Sequence, residues 1–346
     1  MISVIMTLHN RAHLLQWALL DGIMRQEWVR RPCGKNIEII VLDDGSTDNL
    51  DHILRVASID LVEPVRKWTW DRKETNIKFN CPAIPYNILV KLARGDTIIK
   101  MDPEMVLLDP EFMDKSLAIL DNNPRAIVMP FPYHCREFQI SEFYDIEDYY
   151  MKYHYQTHIT KENAYETMVY YVAAFRKQAY IDLGGIEEDF SSGIGSEDDH
   201  FLSWWKREYG TDSFITLLDS PAVHLYHGGM AESPDKGVVG VPPQLYPWVE
   251  QNVQLKERIV NRKPNEGRDW GKFYDSMKLT AWSHGDKVVN NISVWDMLKV
   301  PSFEEVLTKA TDKNCGKQSR VYDIRKIGEV IKWIDEMDHM LREDKT

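Results

Sequence analysis

Carboxylates and histidines gather into four short groups along this 346-residue chain, each beside a stretch that reads as a buried strand. The first is Val41 to Asp48 (VLDDGSTD) and the second is Lys100 to Glu104 (KMDPE). The third runs from Gly184 to Phe190 (GGIEEDF) into Ser196 to Asp199 (SEDD), and the fourth is His224 to Gly228 (HLYHG). Their chemistry differs. Asp102 and Glu104 offer hard oxygens that suit Mg2+ or Mn2+, ions that also take diphosphate oxygens. If that segment is extended, alternate side chains share a face and both reach one ion. Asp44 follows Asp43 at a strand end, where Gly45 permits a tight turn and a carboxylate can accept from a base N–H. The SEDD carboxylates open a helix, whose dipole keeps them ionised. There an ionised carboxylate at a cleft edge can accept a proton from an attacking sugar hydroxyl, provided burial restores its basicity. His224 and His227 flank a strand end, as structural histidines or as metal ligands.

Plainer roles account for part of each group. Ser46 and Asp48 read as caps of the following helix, although capping does not need two aspartates before Gly45. Pro103 suits a solvated turn. Ser196 reads as a cap answered by Asp199.

The elements that must position these groups follow from hydrophobic periodicity. Ile2–Met6 and Ile37–Leu42 are short β-branched runs that read as buried strands. Asn10 reads as the cap of the helix between them. Further helices are expected over Tyr86–Ala93, Phe112–Asp121, Lys177–Leu183 and Glu197–Tyr209, the last two stopped by Gly184 and Gly210. Further strands are expected over Thr97–Met101, Ala126–Met129, Met168–Phe175, Ile215–Leu218 and Ala222–Tyr226. Alternating strands and helices imply a parallel sheet, and ligands of such sheets sit beyond the carboxyl ends of strands. Asp43, Asp44, Asp102 and Glu104 all fall there. His134–Lys161 reads as an irregular insertion lining a cleft.

A net charge of -12 argues against a protein held to nucleic acid mainly by phosphate neutralisation. No window approaches the length of a membrane span, and Met1–Leu8 reads as a strand, not a signal peptide. The four cysteines show no metal-ligand spacing, so a reducing, cytoplasmic setting is expected. The absence of glycine from Ile2 to Arg11 argues against a sugar-phosphate nucleotidyltransferase. The absence of Gly-x-Gly-x-x-Gly after a strand argues against a dinucleotide oxidoreductase.

Three segments together resemble a GT-A-fold glycosyltransferase, close to glycosyltransferase family 2 and the galactosyltransferase-like group. They are Ser3–Ala12, Val41–Asp48, and the long stretch Ala174–Phe190 followed by Gly-Ser-Glu-Asp-Asp. The likeness runs from about Ile2 to Gly228; beyond it, a stretch mixing Gly, Pro and charge reads as a flexible loop or lid over 231–264, and helical spacing reads as a C-terminal helical extension over 265–346. The resemblance implies an α/β, Rossmann-like, mostly parallel sheet flanked by helices, in a catalytic domain over 1–230 (a nucleotide-binding half 1–110 and an acceptor half 111–230). It further implies a nucleotide-diphosphate sugar donor, most often a UDP-sugar, Mn2+ or Mg2+, and an acceptor hydroxyl on a glycan, lipid-linked sugar, protein or modified nucleobase. Thr7, His9 and Asp44 stand where the family contacts the nucleotide, with Asp43 beside them. Asp102 and Glu104 stand at its metal-binding motif, and His227 stands nearest its downstream metal-binding histidine. Asp198 stands where inverting members place their base, and Glu197 is the expected acceptor contact. The chain departs from the family at His9 (usually tyrosine), at Glu104 (usually aspartate) and at Tyr86, where an arginine often holds the nucleotide. These departures leave room for an altered donor or a metal-independent enzyme, and those at His9 and Glu104 favour the alternative, a non-catalytic nucleotide-sugar or glycan-binding protein on the same fold.

Overall fold

Two apolar runs, buried almost without interruption, begin the chain: β1 (Ile2–Leu8) and β2 (Ile37–Asp43). Strands covered on both faces belong to the interior of a parallel sheet, and that is where they lie in the computed structural model. It describes residues 1–30, 37–58, 61, 65–70, 81–135, 154–155, 171–225, 231–232, 239–240, 245–272, 277–282, 288–289 and 292–293. Two compact units are distinguished, one of Met1–His134 with Gln156–His284 and one of Cys135–Tyr155 with Gly285–Thr346. In the second, the described residues include a short antiparallel pair, Val288–Val289 with Ile292–Ser293.

In the first unit, α1 (Ala12–Trp17) follows β1, and α2 (Leu50–Ala57) leads from β2 to β3 (Val65–Thr69). Helix α3 (Ala83–Leu92) precedes β4 (Thr97–Met101), which is followed by β5 (Met105–Leu107), α4 (Phe112–Asn122) and β6 (Ile127–Cys135). After β7 (Val172–Arg176) and α5 (Lys177–Leu183) come α6 (Glu197–Tyr209), β8 (Phe214–His224), α7 (Tyr246–Ile259) and β9 (Lys278–Trp282). Among the described residues the sheet of this unit runs β9-β3-β2-β1-β4-β7-β6-β8-β5. The block β3-β2-β1-β4 is parallel throughout, and β6 is parallel to β8. β7 runs antiparallel between β4 and β6, and β5 and β9 are antiparallel edges. The α/β, Rossmann-like expectation therefore holds, with its purest parallel stretch at the first half of the chain.

The core joins sheet and helices through large side chains. Tyr86 and Ile88 of α3, Phe175 of β7, Tyr180 of α5 and Phe201 and Trp205 of α6 are all buried in one cluster. Phe175 stacks on Tyr180 at 5.3 Å between ring centroids.

The structure differs from the sequence expectations in several places. β8 is one strand where two were expected, with a register irregularity opposite Pro130 and Phe131 that absorbs the break. Part of the stretch expected as a flexible loop over 231–264 is helix α7. Its Asn252 is buried and donates to Phe190 O and Gly195 O, so tertiary contacts fix it. Within 265–346, expected to be helical, Lys278–Trp282 is instead the edge strand β9, because the open flank of β3 supplies backbone partners. Trp270 is buried against Tyr180, at 6.2 Å between centroids. The helical pattern from Ile324 to Ile334 and most of the expected insertion at 134–161 lie outside the described residues.

Candidate active site

The register of the parallel block aligns the strand ends. Leu8 sits opposite Asp43, Asp43 opposite Thr69, and Ile5 opposite Lys100. Asp44 and Asp102 thus emerge at the same sheet edge on strands separated only by β1, about 10 Å apart at two interstrand spacings.

At the β2 end the acidic group serves mainly as a clasp between two turns. Asp43 accepts from Ser46 N at 2.8 Å and lies 3.4 Å from Lys67 Nζ, and its carbonyl accepts from Trp70 N. His9 Nδ1 lies 2.9 Å from Asp44 O, and Asp44 N donates to Leu8 O. His9, Asp43 and Asp44 are thereby brought together, and Thr7 lies on β1 opposite Leu42, one register step from Asp43. The expected caps are not observed. The side chains of Asn10 and Ser46 do not cap the helices that follow them; Asn10 Oδ1 accepts from Thr47 N at 2.7 Å, and Ser46 Oγ accepts from Asn10 N at 2.9 Å. Asp48 reaches back to Ala12 N at 2.9 Å, satisfying the first turn of α1 from a loop 36 residues away. Asn10 adopts a left-handed backbone, φ 52°, which asparagine tolerates.

At the β4 end, Asp102, Pro103 and Glu104 form a tight turn closed by Met105 N donating to Asp102 O at 3.0 Å, not the extended segment expected. Pro103 sets that geometry. Asp102 Oδ1 accepts from Tyr86 Oη at 2.6 Å and lies 3.0 Å from Lys100 Nζ. Burial, then the nearby charge of Asp102, push Glu104 up to about 7, with Arg11 and Lys100 opposing. His224 Nε2 is 3.8 Å from Glu104 Oε1, and the His224 ring packs on Tyr171 at 4.6 Å between centroids. Of the two candidate histidines, His224 therefore stands beside the second acidic group, while His227 lies outside the described residues.

The third group stands at the start of α6. Its first residue departs from the expected cap. Ser196 has φ 68° and makes no side-chain cap hydrogen bond, while its carbonyl accepts from His200 N. Glu197 is buried, and among the described residues its Oε2 has no hydrogen-bond partner. Burial raises its pKa, with Asp102 adding to the effect, while its own backbone amide and the charge of Lys100 work the other way. Asp198, half-buried, is raised well above the ordinary carboxylate range by burial, with Glu197, Asp102 and Asp199 adding to the effect and Lys100 opposing it. Burial opposes a charged Lys100, yet Asp102 and Asp198 hold its pKa above the usual value. Asp102 is thus close enough to act on both Glu197 and Asp198, and Glu197 on Asp198, with Lys100 as the common counter-charge. The glycines before α6 serve packing. A side chain at Gly184 or Gly185 would meet Pro264, Asn87 or Trp270, and one at Gly193 would overlap the amide of Asn252.

A hard divalent cation fits the chemistry of Asp102 and Glu104: two neighbouring carboxylates, one with its proton affinity raised first by burial and then by the charge of the other, are what a cation relieves. Among the described residues, no three His, Cys, Asp or Glu side chains converge on one ion position. Sequence reasoning missed Lys100 and Arg11. The signal for Lys100 was present, as a lysine inside an otherwise uncharged buried strand, two residues before an acid.

The profile described as Glycosyl transferase family 2 matches residues 3–184, more than half of the chain. The chain belongs to glycosyl transferase family 2. Family 2 thus covers the clasp at Asp43, the turn at Asp102 and β7, and ends just after α5. Solved structures similar to the chain include S. aureus TarS 1-349 in complex with UDP-GlcNAc (17% identity, TM-score 0.49, covering 75% of this chain and 66% of that one). They include the mannosyltransferase PcManGT from Pyrobaculum calidifontis in complex with GDP-Man and Mn2+ (18%, 0.45, 74% and 64%). GalNAc-T7 with UDP, GalNAc and Mn2+ is a further one (15%, 0.48, 76% and 49%). In another TarS 1-349 structure the match spans 60% of that chain. No curated protein matches the chain in sequence. Among the described residues, no helix is long and apolar enough to cross a membrane.

Proposed function

We propose that this family 2 chain transfers a sugar from a nucleotide-diphosphate donor, a UDP-sugar in the first instance, to an acceptor hydroxyl with inversion of configuration. The observation that carries the reading is the proximity of Asp102 and Glu197 to Asp198, whose proton affinity is raised first by burial and then by those neighbouring charges. In this reading Thr7, His9, Asp43 and Asp44 receive the nucleotide. Asp102 and Glu104, with His227, hold Mn2+ or Mg2+, which when bound neutralises charge on the leaving diphosphate. Asp198 takes the proton of the acceptor hydroxyl as its oxygen bonds to the anomeric carbon. The bond from that carbon to the diphosphate oxygen breaks, and the diphosphate leaves with the electron pair. Glu197 Oε2, buried without a protein donor, receives a hydrogen bond from a neighbouring acceptor hydroxyl.

The test has two stages. Nucleotide-sugars are screened for thermal stabilisation with and without Mn2+, and the best binder is then assayed for UDP release and transfer. Release of the nucleotide with inverted product is expected. Stabilisation with no release under any acceptor would favour the non-catalytic binding role, and a retained anomeric configuration would remove Asp198 as base.

A further inference from the structure

Every residue of β4 is buried, and one of them is a lysine. The Lys100 side chain is only 3% exposed. A buried ammonium is costly unless it is paired, so its partner is the first thing to ask about. Its Nζ lies 3.0 Å from Asp102 Oδ1 and 4.7 Å from the centroid of the Tyr86 ring. Tyr86 Oη donates to that same oxygen at 2.6 Å. Two donors thus converge on Oδ1, and the Tyr86 ring walls the amine in. Oδ2 receives no comparable contact among the described residues.

We propose that Lys100 is a resident cation of the donor site: with Tyr86 it occupies Oδ1 of Asp102, leaving Oδ2 as that residue's only oxygen for a divalent ion. This rests on the reading above of Asp102 as a metal ligand. Two consequences follow from charge alone. A fixed positive charge on the far oxygen of a ligand carboxylate opposes a bare divalent ion. The same charge favours a nucleotide diphosphate, so ion and nucleotide load together. Lys100 is a positioning residue here, acting on the ion through Asp102. It also fixes the Asp102 carboxylate in one rotation, since Oδ1 is held from two directions.

The experiment is a titration of the full chain with Mn2+ in the absence of nucleotide, read by the electron paramagnetic resonance signal of the free ion. Wild type is compared with Lys100→Met, Lys100→Arg and Tyr86→Phe, each first checked for a native-like circular dichroism melt. Lys100→Met removes the charge and is expected to tighten Mn2+ binding about tenfold. Lys100→Arg keeps the charge and Tyr86→Phe removes only a neutral donor, so both are expected to stay within about twofold of wild type. A folded Lys100→Met protein with unchanged or weaker Mn2+ affinity overturns the proposal, as does an absence of Mn2+ binding in every protein. If Lys100→Met does not fold, wild type decides: UDP is expected to tighten Mn2+ binding at least about tenfold, and equal affinity with and without UDP overturns the proposal. None of these readouts includes sugar transfer. A chain that releases no UDP from any UDP-sugar yet tightens on Lys100→Met would lose the enzymatic reading and keep this one.

Discussion

The clasp at the end of β2 and the acidic cluster that forms the candidate pocket at β4 and α6 are built from the same functional group in opposite circumstances. In the clasp, Asp43 accepts from the amide of Ser46 and Asp48 from that of Ala12, at 2.8 and 2.9 Å. Those oxygens are occupied, and what they stabilise is the meeting of two turns. In the acidic cluster, Glu197 Oε2 is buried without a hydrogen-bond partner among the described residues, and Glu104, Glu197 and Asp198 all have raised proton affinities, burial being the first cause in each. Carboxylates satisfied by backbone amides are structural, and carboxylates crowded with one another retain unspent electrostatic energy for a cation or a proton. The comparison teaches that an acidic motif is read by what its oxygens touch, not by its letters.

Three substitutions would break or sharpen that contrast. The largest effect is expected in the pocket, where Asp198→Asn should lower transfer by about 10²–10⁴-fold with donor binding unchanged, measured by turnover and by calorimetric titration of the donor. Full turnover would return Asp198 to the structural class. At the boundary of the pocket, Gly193→Ala sets a methyl against the Asn252 amide, which is tied to Phe190 O and Gly195 O. A cost of about 1–3 kcal/mol in a urea melt is expected from such overpacking, with a lower kcat because the segment that delivers Glu197 and Asp198 must shift. Smallest is Asp48→Ala in the clasp, which leaves the Ala12 amide without its acceptor. Loss of this capping interaction should cost about 1 kcal/mol of stability in the same melt and leave the metal affinity untouched; a change in Mn2+ affinity as large as that from a pocket variant would erase the distinction between the two regions.

Much of the scaffold was legible before any coordinates. β4 (Thr97–Met101), α5 (Lys177–Leu183) and α6 (Glu197–Tyr209) have the bounds their sequence implies. Their stop signals are local, for Gly184 at φ 103° and Gly210 at φ 86° end their helices where an L side chain would be strained. The caps were misread because their partners are remote. Asn10, Ser46 and Asp48 have the right side chains for capping the next helix, yet each is drawn to the neighbouring turn by the β1–β2 register. α7 and β9 were missed as packed elements because what holds them is a glycine with no side chain at position 193 and the open edge of β3.

The sequence by itself determined that this chain carries acids in a fixed order at the ends of buried strands and at the start of one helix. That follows from short-range periodicity and from residue types. Only the tertiary structure decided that Tyr86 and Lys100 share one oxygen of Asp102, that His224 stands by Glu104, and that burial makes Asp198 basic. Hydrogen-bond partners and desolvation are properties of what packs around a group, and those neighbours come from strands and helices scores of residues away.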